Sequence, residues 1–471
     1  MSRPPDGGGH PAPGDYATAA ARSIREQPEV RASVTAATRT FDANRAAAWG
    51  EIHADAWRDW ARDAKRHALT HLDQYLEQAE VRLQRNGVRV HWAEDAAEAQ
   101  DILRRIVERQ GVRRVVKAKS MLTEELELNG HLEARGVQVR ETDLGEYIIQ
   151  LLGQPPSHIV GPAIHLGLED CRALFAERFG TPADASPETL AAAARAALRA
   201  DFLAADMGIS GANFLAADTG TLALIENEGN IRLSTSAPRV HVAFVGIEKV
   251  VPRLEDLSPF LQLTSRSATG QPIGNYVSLI QGPRRAGDPD GPEEVHVVLV
   301  DNGRTRVLAD EVAWEALRCV RCGACLNICP VYRQTGGHPY GFTYSGPIGA
   351  ILAPGLLGLE EAMPLPYASS LCGACADVCP VRIPIPEILL YWRERAVEAG
   401  LVPATERLAM KGYARAAGHG AAFASAGALL RWVPWELGGR ALPVLGGWSG
   451  ERTPPELSPR SFRTLWRKGI E

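Results

Sequence analysis

Apolar residues first recur at helical spacing between Phe41 and about Arg85. Trp49, Ile52, Trp57, Trp60, Ala64, Leu72 and Leu76 approximate one stripe there. The pattern predicts a long amphipathic helical segment, which either packs on its own chain or serves as a partner-binding arm. The period then changes. Val88–Trp92 reads as a strand, Ala96–Gln110 as a helix and Arg114–Lys117 as a strand. Leu122–Ala134 follows as a helix and Val137–Glu141 as a strand. Strands alternating with helices predict a mainly parallel sheet covered on both faces.

Ser186, Pro187 and Glu188 mark a helix start: a cap residue, a proline at the first helical position and an acid near the positive end. That helix is expected to run to about Met207. Gly220–Ile225 and Asn230–Ser234 flank a Glu-Asn-Glu-Gly turn and read as a hairpin. His241–Val245, Tyr276–Ile280 and Glu294–Val300 extend the sheet, so the α/β domain closes near Asp301. Helical segments follow: Ala309–Leu317, Glu387–Ala399 and Ala404–Ala417. After a Gly/Pro-rich stretch, Ser461–Arg467 is a short basic-aromatic end that folds back or docks a partner.

The expected organisation has five segments. Residues 1–40 are disordered or extended, because the first fifteen are Gly, Pro and polar. Residues 41–86 are helical, 87–305 form the α/β domain and 306–400 a helical domain. Residues 401–471 form a C-terminal tail suited to partner docking. The formal charge of -5 over 471 residues, with no long basic run, disfavours nucleic acid. No secretory signal is visible, and the apolar run near Ala421–Leu430 is too short to span a membrane. A cytoplasmic protein is expected, with any membrane association made through partners.

Cysteine placement changes the picture most. Cys319-x2-Cys322-x2-Cys325-x3-Cys329 precedes Pro330, and Cys372-x2-Cys375-x3-Cys379 precedes Pro380. The first is the bacterial ferredoxin pattern, in which the fourth cysteine ligates the other cluster of a pair. Closely spaced thiolates let one tight loop wrap three irons of a cube, and a remote cysteine closes the fourth corner. Gly323 and Gly373 let the backbone pass close to inorganic sulfide. Tetrahedral zinc uses paired Cys-x2-Cys knuckles across a longer gap, which fits poorly. The expectation is therefore two 4Fe-4S clusters and one-electron chemistry. In the crossed arrangement Cys319, Cys322, Cys325 and Cys379 hold one cluster, and Cys329, Cys372 and Cys375 the second. The second is one thiolate short, because Ser369 stands three residues before Cys372. The eighth cysteine, Cys171, reads as a small buried hydrophobe on a helix.

Several stretches together resemble one family. They are Lys117–Glu125, Glu141–Ile148, Pro155–His165, Ala216-Ala-Asp-Thr-Gly-Thr and Glu228-Gly-Asn-Ile-Arg. They are similar to the LUD domain of bacterial lactate-utilization proteins. With the two cysteine motifs behind them, the chain resembles the iron–sulfur (B) subunit family of that system over roughly residues 40–470. The resemblance implies a sugar-phosphate isomerase/CoA-transferase-like fold for the first domain. For the second it implies an α-helical ferredoxin-like domain. It further implies a three-subunit complex oxidising L-lactate to pyruvate, with a cysteine-rich CCG-type subunit and a smaller LUD-only subunit as partners. No Gly-x-Gly-x-x-Gly or Walker loop occurs, so the oxidation is not expected to be NAD-linked.

Charges sit at the expected strand ends: Lys117 and Lys119 after one strand, Glu141 and Asp143 after the next. Ligands of open α/β sheets bind beyond such ends, near a reversal of strand order. The lysine pair is a candidate carboxylate clamp, and His158 or His165 a candidate proton carrier. A purely structural ion-pair cluster is the alternative. Three functions therefore stand open: an electron-transfer subunit, a LUD domain that is itself the catalytic unit, and an iron–sulfur scaffold or redox sensor.

Overall fold

The computed structural model describes residues 12–430, 458 and 460–469. They fall into two compact units, one reaching Arg395 and one beginning at Ala396. The Gly/Pro-rich stretch ahead of Ser461 lies largely outside the described residues, as do residues 1–11.

The described residues of the first unit hold ten strands: β1 Arg89–Ala93, β2 Arg114–Lys117, β3 Gln138–Glu141, β4 Met207–Ser210, β5 Phe214–Ala216, β6 Thr221–Glu226, β7 Val240–Gly246, β8 Val250–Val251, β9 Tyr276–Ile280 and β10 Glu294–Val300. Six form an all-parallel sheet in the order β1-β10-β7-β4-β2-β3. A smaller mixed sheet runs β8-β5-β6-β9. Central strands of a parallel sheet are covered on both faces and read as unbroken apolar runs. Every residue of β7 is buried, and all but the first of β10.

Local signals explain most boundaries. The helix Ala96–Gln110 starts where the Asp95 carboxylate accepts from Glu98 N and stops at left-handed Gly111. Its buried residues Ala99, Ile102, Leu103, Ile106 and Val107 recur at three- and four-residue spacing and pack on the sheet. Pro187–Ala204 begins with the Ser186 hydroxyl accepting from Thr189 N. Ser186→Ala is expected to lower the stability of this unit by about 1 kcal/mol, read from its urea midpoint.

Several expectations need correction. Residues 1–40 are not extended throughout, because Tyr16–Glu26 and Pro28–Gly50 are helices. The long segment to Arg85 is three helices, Pro28–Gly50, Ala54–Thr70 and Leu72–Arg85. Leu122–Ala134 is broken at Glu127, whose φ of 52° ends one short helix and opens another. The hairpin is absent. Asn230–Ser236 is a helix, because the Glu226 carboxylate accepts from Ile231 N (2.7 Å) and Arg232 N (3.0 Å) at its start. The helix expected to reach Met207 stops at Ala204, and Met207 opens β4.

The N-terminal helices pack on their own chain. Tyr16, Ala20, Val34, Ala61 and Leu69 share one core with Cys322, Cys329, Cys375 and Cys379. Arg58 donates from Nε to Cys379 O (3.0 Å) and from Nη2 to Asp377 O (2.6 Å). The second unit contains the helices Ala404–Gly418, Gly420–Leu430 and Phe462–Arg467, with Tyr413, Phe462 and Trp466 exposed.

Candidate metal centre and the adjoining cavity

The two cysteine motifs fold as local copies. Arg321-Cys322-Gly323-Ala324-Cys325 and Leu371-Cys372-Gly373-Ala374-Cys375 occupy equivalent positions. Arg321 and Leu371 have φ of 60° and 54°, Gly323 and Gly373 of 77° and 86°. A short helix follows each glycine, Ala324–Ile328 and Ala374–Asp377. Residues other than glycine adopt positive φ at a cost, so a repeated pair of such turns marks a loop held for a purpose. Gly323 has a packing reason as well, because a Cβ there would press on His158 Cε1 at 3.1 Å.

Sulfur atoms accept backbone hydrogen bonds in both copies. Arg321 N donates to Cys319 Sγ (3.3 Å), Tyr332 N to Cys329 Sγ (3.5 Å) and Ile383 N to Cys379 Sγ (3.3 Å). Leu371 N donates to Ser369 Oγ (3.1 Å). Ser369 thus makes the contact that Cys319 makes in the first loop.

The fold interleaves the motifs. Cys319, Cys322, Cys325 and Cys379 line one cavity with Val381 and Ile383. Burial pushes the Cys322 and Cys325 thiols well up, and the neighbouring Cys319 and Cys379 push them further. Burial likewise raises Cys375 to about 12, and there the neighbouring charges are Cys329 and Cys372. Buried thiols packed this closely cannot all ionise without a cationic partner. Such a donor set fits an iron–sulfur centre, in which the metal keeps each sulfur as thiolate. Cys322, Cys329, Cys375 and Cys379 are buried, whereas Cys372 is exposed. Cys171 is half-buried on the helix Leu168–Phe179, far in sequence from these loops.

A cavity of about 290 Å³ opens where strand order reverses, beyond the carboxyl ends of β2, β4 and β7. Ala118–Leu122 follow β2, Gly211–Asn213 follow β4 and Glu248–Lys249 follow β7. Arg321 and Cys322 of the first cysteine loop complete the wall. Cys322 therefore lies between the cavity and the sulfur-lined site.

The sequence-predicted charges divide between two places. Lys119 and Asp143 line the cavity, 3.7 Å apart, and Lys119 also donates to Val160 O (2.8 Å). Glu228 lines its mouth, where burial and then Asp143 raise it to about 7. Lys117 does not line the cavity. It is fully buried between Glu124 (2.7 Å) and Glu141 (2.8 Å), and Glu141 faces it directly across the β2–β3 ladder. His158 does not line the cavity either. Its Nδ1 accepts from Val160 N and Gly161 N, its Nε2 meets Asn327 Oδ1 at 3.1 Å, and burial holds it at about 3. His165 meets Gln154 and is also held at about 3 by burial. Sequence reasoning missed Glu248, Lys249, Arg304 and Arg321. The first two follow the strand His241–Val245, so the strand-end rule that found Lys119 applies to them too.

Three family models match along the chain: LUD domain over residues 76–300, 4Fe-4S dicluster domain over 315–383, and lactate utilisation protein B, C-terminal, over 398–469. Lactate utilization protein B of Bacillus licheniformis is 46% identical over 387 residues, 82% of this chain and 81% of its own length. The chain belongs to the lactate utilization protein B family. An Escherichia coli K12 relative, named an uncharacterized electron transport protein YkgF, is 41% identical over 96% of both chains. A solved DUF162 family protein from Deinococcus radiodurans matches 49% of this chain and 98% of its own, at 14% identity and a TM-score of 0.28. This member of the family is thus an iron–sulfur protein of lactate utilization and electron transfer. Among the described residues no helix is long and apolar enough to cross a membrane.

Proposed function

We propose that this chain is the electron-transfer subunit of a multisubunit complex oxidising L-lactate to pyruvate, and that it carries two 4Fe-4S clusters. The observation that carries the reading is the placement of Cys379 beside Cys319, Cys322 and Cys325. Crossing of this kind is how two-cluster ferredoxins share their ligands. Cys319, Cys322, Cys325 and Cys379 hold the first cluster, and Cys329, Cys372 and Cys375 the second. Ser369 stands in the remaining position of the second site as a weak donor, because a hydroxyl gives up its proton far less readily than a thiol.

When bound, the clusters supply one-electron steps. Lactate oxidation releases two electrons and two protons, so a pair of one-electron sites suits the task. The first site adjoins the cavity through Cys322, and the second reaches the surface at Cys372. That order suits entry at one end and exit to a partner at the other. The partners of this reading are the cysteine-rich CCG-type subunit and the smaller LUD-only subunit.

A second reading makes the LUD domain the catalytic unit, with the clusters as its local acceptor. The contact of the cavity with Cys322 favours it. The purified chain, given L-lactate and an artificial dye under anaerobic conditions, separates the two. Dye reduction only after the partner subunits are added supports the wire, and reduction by the chain alone supports the catalytic domain. The as-isolated protein is expected to be brown, with roughly eight irons and eight sulfides per chain. Zinc without acid-labile sulfide ends both readings.

A further inference from the structure

The cavity behind the first cysteine loop carries polar groups that have no hydrogen-bond partner among the described residues. Arg304, Arg321 and Lys249 line it. Arg304 is consumed by Glu125 (2.9 Å) and Glu248 (2.7 Å). Arg321 lies 3.5 Å from Glu248 and stacks over Tyr344 at 4.3 Å, but its buried Nη1 has no hydrogen-bond partner. Its side chain is only 9% exposed. Lys249 makes no hydrogen bond or ion pair among the described residues, and the adjacent Glu248 is already paired with Arg304. The hydroxyls of Thr264 and Ser265, both on the cavity wall, are also buried and unpartnered.

Buried donors without acceptors are costly and uncommon, and several around one cavity imply a ligand that completes them. The ligand is an anion, because every unmet group can donate. Its charge follows from the local balance. Of the lining cations, Arg304 and Arg321 are matched by Glu125 and Glu248 and Lys119 by Asp143, so Lys249 is left without a carboxylate partner among the described residues, one unit of positive charge in excess. Glu226 and Glu228 elsewhere on the wall disfavour a dianion. Ile159, Ile225, Phe244 and Ala268 give the same cavity an apolar side. One negative charge beside a short aliphatic body describes a small monocarboxylate better than a phosphate.

We propose that this cavity is a monocarboxylate-binding site, with Lys249 and Arg321 taking the carboxylate and Thr264 and Ser265 donating to its oxygens. Because Arg321 and Cys322 belong to the first cysteine loop, a bound acid lies against the wall of the metal site. The site does not require that this chain perform the oxidation, and it stands apart from the wire reading.

The test uses iron-replete protein under anaerobic conditions. L-lactate, pyruvate, propionate and inorganic phosphate are titrated in turn by calorimetry, and the cluster EPR signal is recorded with each. The expected result is saturable one-to-one binding of the monocarboxylates, weaker binding of phosphate and a change in the EPR signal on binding. Lys249→Met is expected to weaken binding at least tenfold with iron content unchanged. Ser265→Ala leaves the charges in place and is expected to weaken it about threefold. If Lys249→Met fails to retain iron, Ser265→Ala decides the matter alone. No saturable monocarboxylate binding to the wild-type protein would overturn the proposal. So would a Lys249→Met variant that binds as before while its midpoint potential moves, since the cations would then serve the cluster only. Failure of the wire reading through dye reduction that does not depend on the partner subunits leaves these binding outcomes unaffected.

Discussion

Cys379→Ser is expected to destroy the cluster of the first motif, although Cys379 belongs to the second. The iron content falls by roughly half, and the signal that disappears is the one also lost in Cys322→Ser. The reason is spatial. Cys379 is buried against Cys319, Cys322 and Cys325, and its sulfur accepts from Ile383 N at 3.3 Å. Its carbonyl is held by Arg58 Nε at 3.0 Å, which fixes the loop where it crosses. A serine there keeps the backbone in place and offers a hydroxyl in a site that needs four thiolates. Cys329→Ser is expected to remove the other signal, because Cys329 neighbours Cys372 and Cys375. Iron and sulfide analysis with EPR of the two variants decides the pairing. If Cys379→Ser removes the signal lost in Cys372→Ser, each motif holds its own cluster and the crossed assignment is wrong.

Much of this arrangement is legible in the sequence because its signals are local. Arg114–Lys117, Tyr276–Ile280 and Glu294–Val300 begin and end as their alternation or apolar runs predict. The cap at Ser186 and the spacing of the cysteines are likewise short-range patterns. What the sequence conceals is partnership across distance. Thr221–Glu226 is a strand as expected, yet its neighbours are β5 and β9, and the second arm of the expected hairpin is recruited into a helix by Glu226. Strands β5 and β8, three and two residues long, are too short to show a period.

The candidate site divides in the same way. Strand ends located the cavity, but strand register decided which lysine faces it. Lys117 is still inside the ladder opposite Glu141, and Lys119, two residues on, is free of it. His158 lies in a stretch of family resemblance and yet is buried and fully bonded. Its ring lies against the Gly323 turn and meets Asn327.

Arg304→Met is expected to cost the first unit about 3–5 kcal/mol, the range for removing one partner of a buried ion pair. Arg304 is 1% exposed and binds Glu125 through both Nη atoms (2.9 Å each) and Glu248 through Nε (2.7 Å). Tyr344 and Asn302 also donate to Glu125, at 2.6 Å each, but neither brings charge. Methionine fills the space and leaves two carboxylates in the interior. The pH dependence distinguishes this cause from simple loss of packing. Despite its burial, Glu248 is drawn down to about 2 by the Arg304 guanidinium, from an ordinary 4.5. In the wild-type protein its pairing therefore contributes fully above the ordinary value and is lost only as pH falls toward 2. In the variant Glu125 loses its charged partner and burial lifts it above the ordinary value, while Glu248 keeps Arg321 at 3.5 Å and rises less. The folded state therefore binds protons that the unfolded chain does not. The deficit should then shrink as pH is lowered from 8 to 5. Anaerobic urea unfolding of both proteins, followed by tryptophan fluorescence at the two pH values, measures it. A deficit that is equal at pH 5 and pH 8 would mean that lost packing, not stranded charge, carries the cost.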